Sequence, residues 1–327
     1  MTEPLVTIVM PAHDVAAYVD EAVTSALRQS WPRLELICVD DGSRDGTAGR
    51  LEALAAQWRG PGREMTVLRQ ANAGAAAARN AGLARARGEY LCLLDADDRL
   101  APDLVARTVG TLAADPALLL AAPLWRYVDE AGRPIGIVSD PGGLRHDAQG
   151  LVVRGPLHSA TGVTVRAAAA RRTGPFDTSL SGCIDLDWFV RLIAGHGAAA
   201  AVVPRPLADY RKRGGQITAD WRRMEANWTR LLEKMEAAGH GLSARDLRRA
   251  RARNLIYWAS LAYQAGDYPA ARRLTAESWA LAPGAAARDP LARIRTLAAL
   301  ASLLPPPLHD RLRDRAGRRA HFARSSM

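Results

Sequence analysis

Short apolar runs recur along the first third of the chain, each followed by a polar step rich in Asp or Gly and then by a segment of helical period. Residues 5–10 are β-branched and apolar and stop at Pro11, which reads as a buried strand. After His13 and Asp14, the side chains of Val15, Val19, Ala22, Val23, Ala26 and Leu27 share one helical face, and the helix ends before Trp31-Pro32. Residues 34–39 form a second strand, 40–47 the turn behind it, and Leu51, Leu54, Ala55 and Trp58 mark the next helix. A plain loop at 60–63 leads to a third strand at 65–68. An Ala-rich helix then runs from Ala73-Gly74 through Arg79-Asn80 to about Arg87, and 90–94 is a fourth strand. Strand, helix and strand repeated in this way imply right-handed parallel crossovers. The expected class is α/β, with a Rossmann-like, mostly parallel sheet flanked by helices.

Past a helix near 102–114 the pattern changes. Residues 118–128 read as a strand, 129–134 as a hairpin-like turn, 135–138 as its return, and 139–150 as an irregular loop. A strand at 162–166 and a short helix at 167–173 follow. After a turn at 174–177, Asp185-Leu186-Asp187-Trp188 opens a helix with Trp188, Phe189, Leu192 and Ile193 inward, and 199–203 and 208–210 are short strands. From Asp220 onward only helical periodicity is found. There Tyr257-Trp258, Ala262-Tyr263, Gly266-Asp267-Tyr268, Ala271, Ala276 and Pro283 resemble one tetratricopeptide-type helical hairpin. Pro305-Pro306-Pro307 breaks the helices, and 311–324 is a basic end expected to fray.

Charge sharpens this division. The 327 residues carry a formal +10, yet 219–327 hold 20 Lys and Arg against 10 Asp and Glu, which accounts for the whole excess. A basic helical segment on a neutral domain suggests an anionic partner, a phospholipid surface or nucleic acid, and high Arg usage explains it equally well. Cys38, Cys92 and Cys183 have no metal-binding spacing and read as reduced, buried hydrophobes. His13, His146, His158 and His196 have no partner at ligand spacing. Met1 to Pro4 leads into no secretory pattern, and no apolar run approaches the ~18 residues of a membrane span. The expectation is a cytoplasmic protein whose membrane contact is at most peripheral, at the inner face.

The chemistry gathers at Leu93-Leu94-Asp95-Ala96-Asp97-Asp98. A buried parallel strand delivers three carboxylates to its C-terminal end, where open α/β sheets place ligands. Such a cluster suits a divalent cation shared with a pyrophosphate, the ion acting as Lewis acid on the departing oxygen. The plainer alternative is a turn in which Asp97 or Asp98 caps the next helix, with Pro102 near its first turn. No Gly-x-x-x-x-Gly-Lys loop occurs and no Gly-x-Gly-x-x-Gly follows the first strand, which disfavours P-loop NTPases and dinucleotide-dependent oxidoreductases.

Four groups of residues, in order, resemble family 2 glycosyltransferases: Val9-Met10-Pro11-Ala12-His13-Asp14; Val39-Asp40-Asp41-Gly42-Ser43 with Asp45-Gly46-Thr47; Asn72-Ala73-Gly74 with Ala78-Arg79-Asn80-Ala81-Gly82; and Gly88-Glu89-Tyr90 leading to Leu94-Asp95-Ala96-Asp97-Asp98. The likeness runs to about Thr218. It implies the GT-A fold, a nucleotide-diphospho-sugar donor and inverting, metal-dependent transfer. It also implies a domain at 1–218, with a nucleotide-binding half at 1–115 and an acceptor half at 116–218, followed by a basic helical region at 219–327. By the same resemblance Asp41 reads the nucleobase edge, Pro11, Ala12 and Asp14 line base and ribose, and Arg79 lies near the phosphates. Asp95 contacts ribose or metal, and Asp97 ligates Mn2+ or Mg2+. Asp98 remains open between this site and a helix cap.

Inversion needs a base opposite the leaving group. In Gly182-Cys183-Ile184-Asp185-Leu186-Asp187-Trp188, Asp185 matches the family's catalytic Asp, while Ile184 stands where a Glu is usual. A helix N-terminus is expected to keep Asp185 ionised, and Asp187 is the alternative base. Tyr210-Arg211-Lys212-Arg213, through Thr218, resembles the family's Tyr-Arg-x-His segment over the diphosphate, with Arg213 in place of His. Trp125 and Trp188 either platform an acceptor sugar or pack in the core. The expected acceptor is a lipid-linked or surface glycan, with peripheral contact to anionic membrane through the basic region and no nucleic acid partner. The rivals are a nucleotidyltransferase of related fold and a degenerate, non-catalytic binding module.

Overall fold

A computed structural model of the chain describes residues 3–58, 62–157, 159–214 and 220–282. The chain divides into two compact units, Met1–Gly214 and Gly215–Met327. In the first, β1 (Val6–Ala12), β2 (Leu34–Asp41), β3 (Arg63–Gln70) and β4 (Tyr90–Leu93) lie in the order β3-β2-β1-β4, all parallel. The helices α1 (Val19–Leu27), α2 (Thr47–Gln57) and α3 (Ala75–Arg85) connect them. β2 is buried along its whole length, its acids Glu35, Asp40 and Asp41 included, as a strand covered on both faces must be. Val19, Ala22, Val23, Ala26 and Leu27 are the buried face of α1. Val15 is buried ahead of that helix, its N–H donating to the Thr47 hydroxyl at 2.9 Å. α3 approaches the sheet closely. A Cβ on Gly82 would stand 2.5 Å from Cγ1 of Val9, so a side chain there would push α3 and Arg79 away from the strand ends.

The second half of this unit interrupts the simple alternation. β5 (Arg99–Leu100) and α4 (Leu104–Ala114) lead to β6 (Leu118–Val128), whose hairpin partner is β7 (Pro134–Val138). β9 (Thr164–Arg166) lies antiparallel between β4 and β6, joining the two parts of the sheet. α6 (Ala167–Thr173) and α7 (Ile184–Gly195) follow, and β10 (Ala199–Arg211) runs parallel to β6. The sequence predicts two short strands at 199–203 and 208–210. β10 is one strand, because register shifts on either side of Pro206 absorb the prolines that cannot donate to the ladder. The stretch expected to be loop at 139–150 contains β8 (Arg145–His146) and the start of α5 (Ala148–Arg154), which Asp147 caps by accepting from the Gly150 N–H at 2.7 Å. These pieces, like β5, are too short to show a period.

In the second unit, α8 (Trp221–Ala238), α9 (Ala244–Gln264) and α10 (Tyr268–Leu281) begin at the caps Asp220, Ser243 and Asp267. α9 and α10 form an antiparallel hairpin. The Ser278 hydroxyl donates to the Ala252 carbonyl at 2.7 Å near one end, the Tyr263 and Tyr268 rings meet edge-on at 5.6 Å at the other, and Ala262 and Ala271 are buried between them. His158, 216–218, Pro283, Pro305-Pro306-Pro307 and the basic stretch at 311–324 lie outside the described residues, as does part of the loop at 60–63. Among the described residues no helix is long and apolar enough to cross a membrane.

Candidate active site

The C-terminal ends of the parallel strands bring the first predicted residues together. Pro11 and Ala12 end β1 opposite Val39 and Asp40 of β2. Asp14 follows in the left-handed region at φ +49, a conformation Asp tolerates better than most residues. Its carboxylate accepts from the Arg44 N–H at 2.7 Å, and its own N–H donates to the Ser43 hydroxyl at 3.1 Å. Asp41 is buried and accepts from the Gln70 amide at 2.7 Å and from the N–H groups of Ala73 and Gly74 at 2.9 and 2.8 Å. A carboxylate has about four lone-pair sites. Three of them thus fix the loop that starts α3, and one acceptor position stays for a donor N–H.

At the end of β4 the three acids have three different surroundings. The carboxylate of Asp95 accepts from Arg79 Nη2 at 2.5 Å. Asp97 accepts from Arg213 Nε at 2.7 Å. Asp98 turns inward and accepts from the Thr161 hydroxyl at 2.6 Å and the Arg211 N–H at 2.8 Å. Burial, reinforced by the charges of Asp97 and Asp95, pushes the Asp98 carboxyl well above the usual carboxylate range. Neither Asp97 nor Asp98 is a helix cap. Asp103 occupies that position before α4, and the Asp98 carboxyl is held in the interior by Thr161 and Arg211.

Across from this turn, Asp185 lies in the first turn of α7, two residues after Cys183, which sits at φ +56. Its carboxyl is shifted upward, chiefly by desolvation, with Asp95 adding to the shift and Arg79 and the Leu186 N–H opposing it. Desolvation therefore outweighs the helix N-terminus that was expected to favour the ionised form. Arg79 acts electrostatically on Asp185 while bonding Asp95, so the three residues converge. A tied-down turn at 173–176 holds α7 against α3. Arg191 donates to the carbonyls of Thr173 at 3.2 Å and Pro175 at 2.8 Å, and Trp188 Nε1 to that of Gly174 at 2.9 Å. Asn80 exchanges two hydrogen bonds with the backbone of Phe176, at 2.9 and 2.7 Å. The Phe176 ring stacks on Trp188 at 4.5 Å and lies 5.6 Å from the Arg79 guanidinium.

Other candidates take structural places. Asp187, the alternative base, is buried on the inward face of α7 and holds Arg191 at 2.9 Å. Trp125 and Trp188 are wholly buried, which assigns both to the core, and Trp125 Nε1 donates to the Thr161 carbonyl at 2.8 Å. Burial pushes the thiols of Cys92 and Cys183 up to about 12, too high for a thiolate nucleophile at neutral pH. Sequence reasoning did not single out Thr161, whose hydroxyl bonds Asp98 and whose oxygen also accepts from the Asp95 N–H at 3.1 Å. It also passed over the buried Arg211. The guanidinium of Arg211 donates to the carbonyls of Asp97 and Glu130, both at 2.7 Å, and to the Glu21 carboxylate at 2.9 Å. Arg211 stood inside a recognised segment; Thr161 had no local signal.

The acid turn fits a divalent ion of one kind. No group of three or more His, Cys, Asp or Glu among the described residues could hold a metal by protein ligands alone. Small hard cations, however, are commonly held by one or two carboxylates together with substrate phosphates and water. Asp97, with Asp95 beside it, supplies a donor set of that type.

The family model described as "Glycosyl transferase family 2" matches residues 7–148, the segment holding the strand-end acids and Arg79. The chain carries a family 2 glycosyltransferase domain. The chain is 31% identical over 139 residues to an uncharacterized glycosyltransferase of Haemophilus influenzae, covering 42% of this chain and 54% of that one. It is 40% identical over 101 residues to the putative teichuronic acid biosynthesis glycosyltransferase TuaG of Bacillus subtilis, covering 31% and 39%. The chain thus spans about half, or less, of the length of these relatives. The glycosyltransferase domain and its helical extension also align with solved structures. The mannosyltransferase PcManGT of Pyrobaculum calidifontis, in complex with GDP-Man and Mn2+, superposes with a TM-score of 0.60 at 22% identity, over 94% of this chain and 83% of that one. S. aureus TarS 1-349 in complex with UDP superposes at 0.59 and 15% identity, over 95% and 91%. The fold of the domain is accordingly GT-A, an α/β sheet with flanking helices followed by a helical region.

Proposed function

We propose that this chain is a metal-dependent, inverting glycosyltransferase that moves one sugar from a nucleoside-diphosphate donor to a hydroxyl of a lipid-linked or surface-glycan acceptor. The pairing of Asp95 with Arg79, together with the electrostatic influence of both on Asp185, supports the reading most directly, since it brings a cation suited to phosphate near a candidate base. Pro11, Ala12, Asp14 and Asp41 hold base and ribose, and Arg79 and Arg213 bind the diphosphate. Asp185 removes the proton of the acceptor hydroxyl at its carboxylate as that oxygen bonds to the anomeric carbon. The bond from this carbon to the diphosphate oxygen breaks, its electron pair leaves with the diphosphate, and cations there offset the developing charge. A Mn2+ or Mg2+ ion on Asp97 and Asp95 supplies Lewis-acid stabilisation of the leaving group. The upward shift of Asp185 makes it a better proton acceptor than an ordinary exposed carboxylate. It also sets an acid limb, with turnover lost as pH falls through its raised value.

The same reading assigns catalysis to 1–218, with halves at 1–115 and 116–218, and peripheral contact with anionic membrane at the cytoplasmic face to the basic region 219–327. The α9–α10 pair is read as a tetratricopeptide-like hairpin. A panel of nucleotide sugars, assayed for divalent-dependent thermal stabilisation and then for hydrolysis or transfer, tests the proposal. Turnover that is lost in Asp185→Asn, with donor binding kept, is the expected result. Pyrophosphate release from an NTP and a sugar phosphate would instead identify a nucleotidyltransferase, and nucleotide binding without any turnover a binding module.

A further inference from the structure

The two acids read as ion ligands each face a guanidinium, and the two pairs differ in build. Arg79 is fixed: its side chain is 6% exposed, it clasps Asp95 at 2.5 Å, and it lies beneath the Phe176 ring. Arg213 is 21% exposed, stands just beyond the end of β10, and reaches Asp97 through Nε at 2.7 Å with its guanidinium 5.5 Å from the centre of the Tyr18 ring. An incoming divalent ion therefore meets a cation already on Asp97. Arg cannot yield by losing its proton, so it must move. A diphosphate gives it somewhere to go, because the planar guanidinium fork matches phosphate oxygens in a bidentate way.

We propose that Arg213 is a resident counterion of Asp97 that transfers to the donor diphosphate, so that a divalent ion binds this chain tightly only together with the nucleotide. The inference rests on the reading of Asp97 as the ion's ligand. With Arg79 kept on Asp95, Asp97 is the carboxylate that gives up its guanidinium in the exchange, and one or two carboxylates hold such an ion weakly until phosphate oxygens complete its shell. The substitution of Arg for the His that the family pattern leads one to expect thus sets the order of binding.

The test is a Mn2+ titration of the full chain, read by electron paramagnetic resonance of the free ion, with and without each of UDP, GDP, CDP and ADP. Without nucleotide, Arg213→Ala should bind Mn2+ about 10-fold more tightly than the parent chain, the lower end expected for losing a charged hydrogen-bonded competitor. With the accepted nucleotide the advantage should disappear or reverse. Arg213→Gln gives the same readout if the Ala variant does not fold. Equal Mn2+ affinity in parent and variant without nucleotide, while Asp97→Asn abolishes Mn2+ binding, would overturn the proposal and leave the metal reading intact. Parent-like Mn2+ binding by Asp97→Asn would remove the metal reading and the proposal with it.

Discussion

The chain carries acids at the ends of two parallel strands that flank β1, Asp40-Asp41 closing β2 and Asp95 to Asp98 following β4, and equips them in opposite ways. Asp41 is held by N–H groups of the fold itself, from Ala73, Gly74 and the Gln70 amide. Asp95 and Asp97 are held by the side chains of Arg79 and Arg213. A carboxylate anchored by backbone donors cannot change partners without unmaking a loop, whereas one anchored by a guanidinium can exchange it for another charge. Asp41 is therefore scaffold for the loop that starts α3, and of the other two it is Asp97, held by the more exposed Arg213, whose partner can be exchanged. Asp98 shows a third solution, a carboxyl taken into the interior that braces the turn.

Replacing an exchangeable acid should damage function and spare the fold. Asp97→Ala should weaken divalent-dependent nucleotide binding by about 100-fold, as for a lost charged contact, with its melting temperature close to that of the parent. A large fall in Tm, measured by differential scanning fluorimetry, would contradict the division. Asp41→Ala should do the reverse and leave the N–H groups of Ala73 and Gly74 without their acceptor. An expected loss of about 2–3 kcal/mol, or roughly 5–10 °C in Tm for a unit of this size, is read by the same method.

A buried acid distant from the site gives the pH-dependent control. Glu35 accepts from the Thr7 hydroxyl at 2.5 Å and from Arg87 Nε at 2.6 Å. Desolvation raises its carboxyl, but the bonds from Thr7 and Arg87 together outweigh it and hold the group below the usual carboxylate range. Its contribution is thus complete above the unfolded carboxylate value and is lost as pH falls through the lowered folded one. Glu35→Gln should cost about 1–2 kcal/mol at neutral pH, and urea unfolding at a series of pH values should show the gap closing in acid. The smallest effect belongs to the surface of α9. Arg248→Glu with Arg249→Glu should change stability by less than about 0.5 kcal/mol, yet reduce sedimentation with anionic vesicles if that region meets membrane.

Much of the parallel half was legible because β1, β2 and β4 are mainly apolar with a turn signal behind each, while β3 showed only its middle, 65–68. The four strands, their order of helices and the strand-end acids all follow from that pattern. The second half was harder for two physical reasons. β5 and β8 are only two residues each, below the length at which any period shows, and β10 crosses Pro204 and Pro206, which in a sequence look like its end. At the site, residue type and spacing brought out the strand-end acids and the family resemblance added Arg79 and Asp185, but the side chains that brace the acids come from far along the chain. Thr161 and Arg211 meet Asp98 across 63 and 113 residues, and no local pattern announces such a contact.

That separation has a consequence during synthesis. Chains emerge at about 5–20 residues per second, so β1 to β4 are available on the order of 10 s before the Arg211 N–H exists to meet Asp98. For that interval the acidic turn has its negative charges and lacks both Arg211 and Arg213. A nascent chain stopped near residue 160 should therefore have Arg79 on Asp95 but no guanidinium on Asp97, and the arrival of β10 is the step that completes the bracing of the turn.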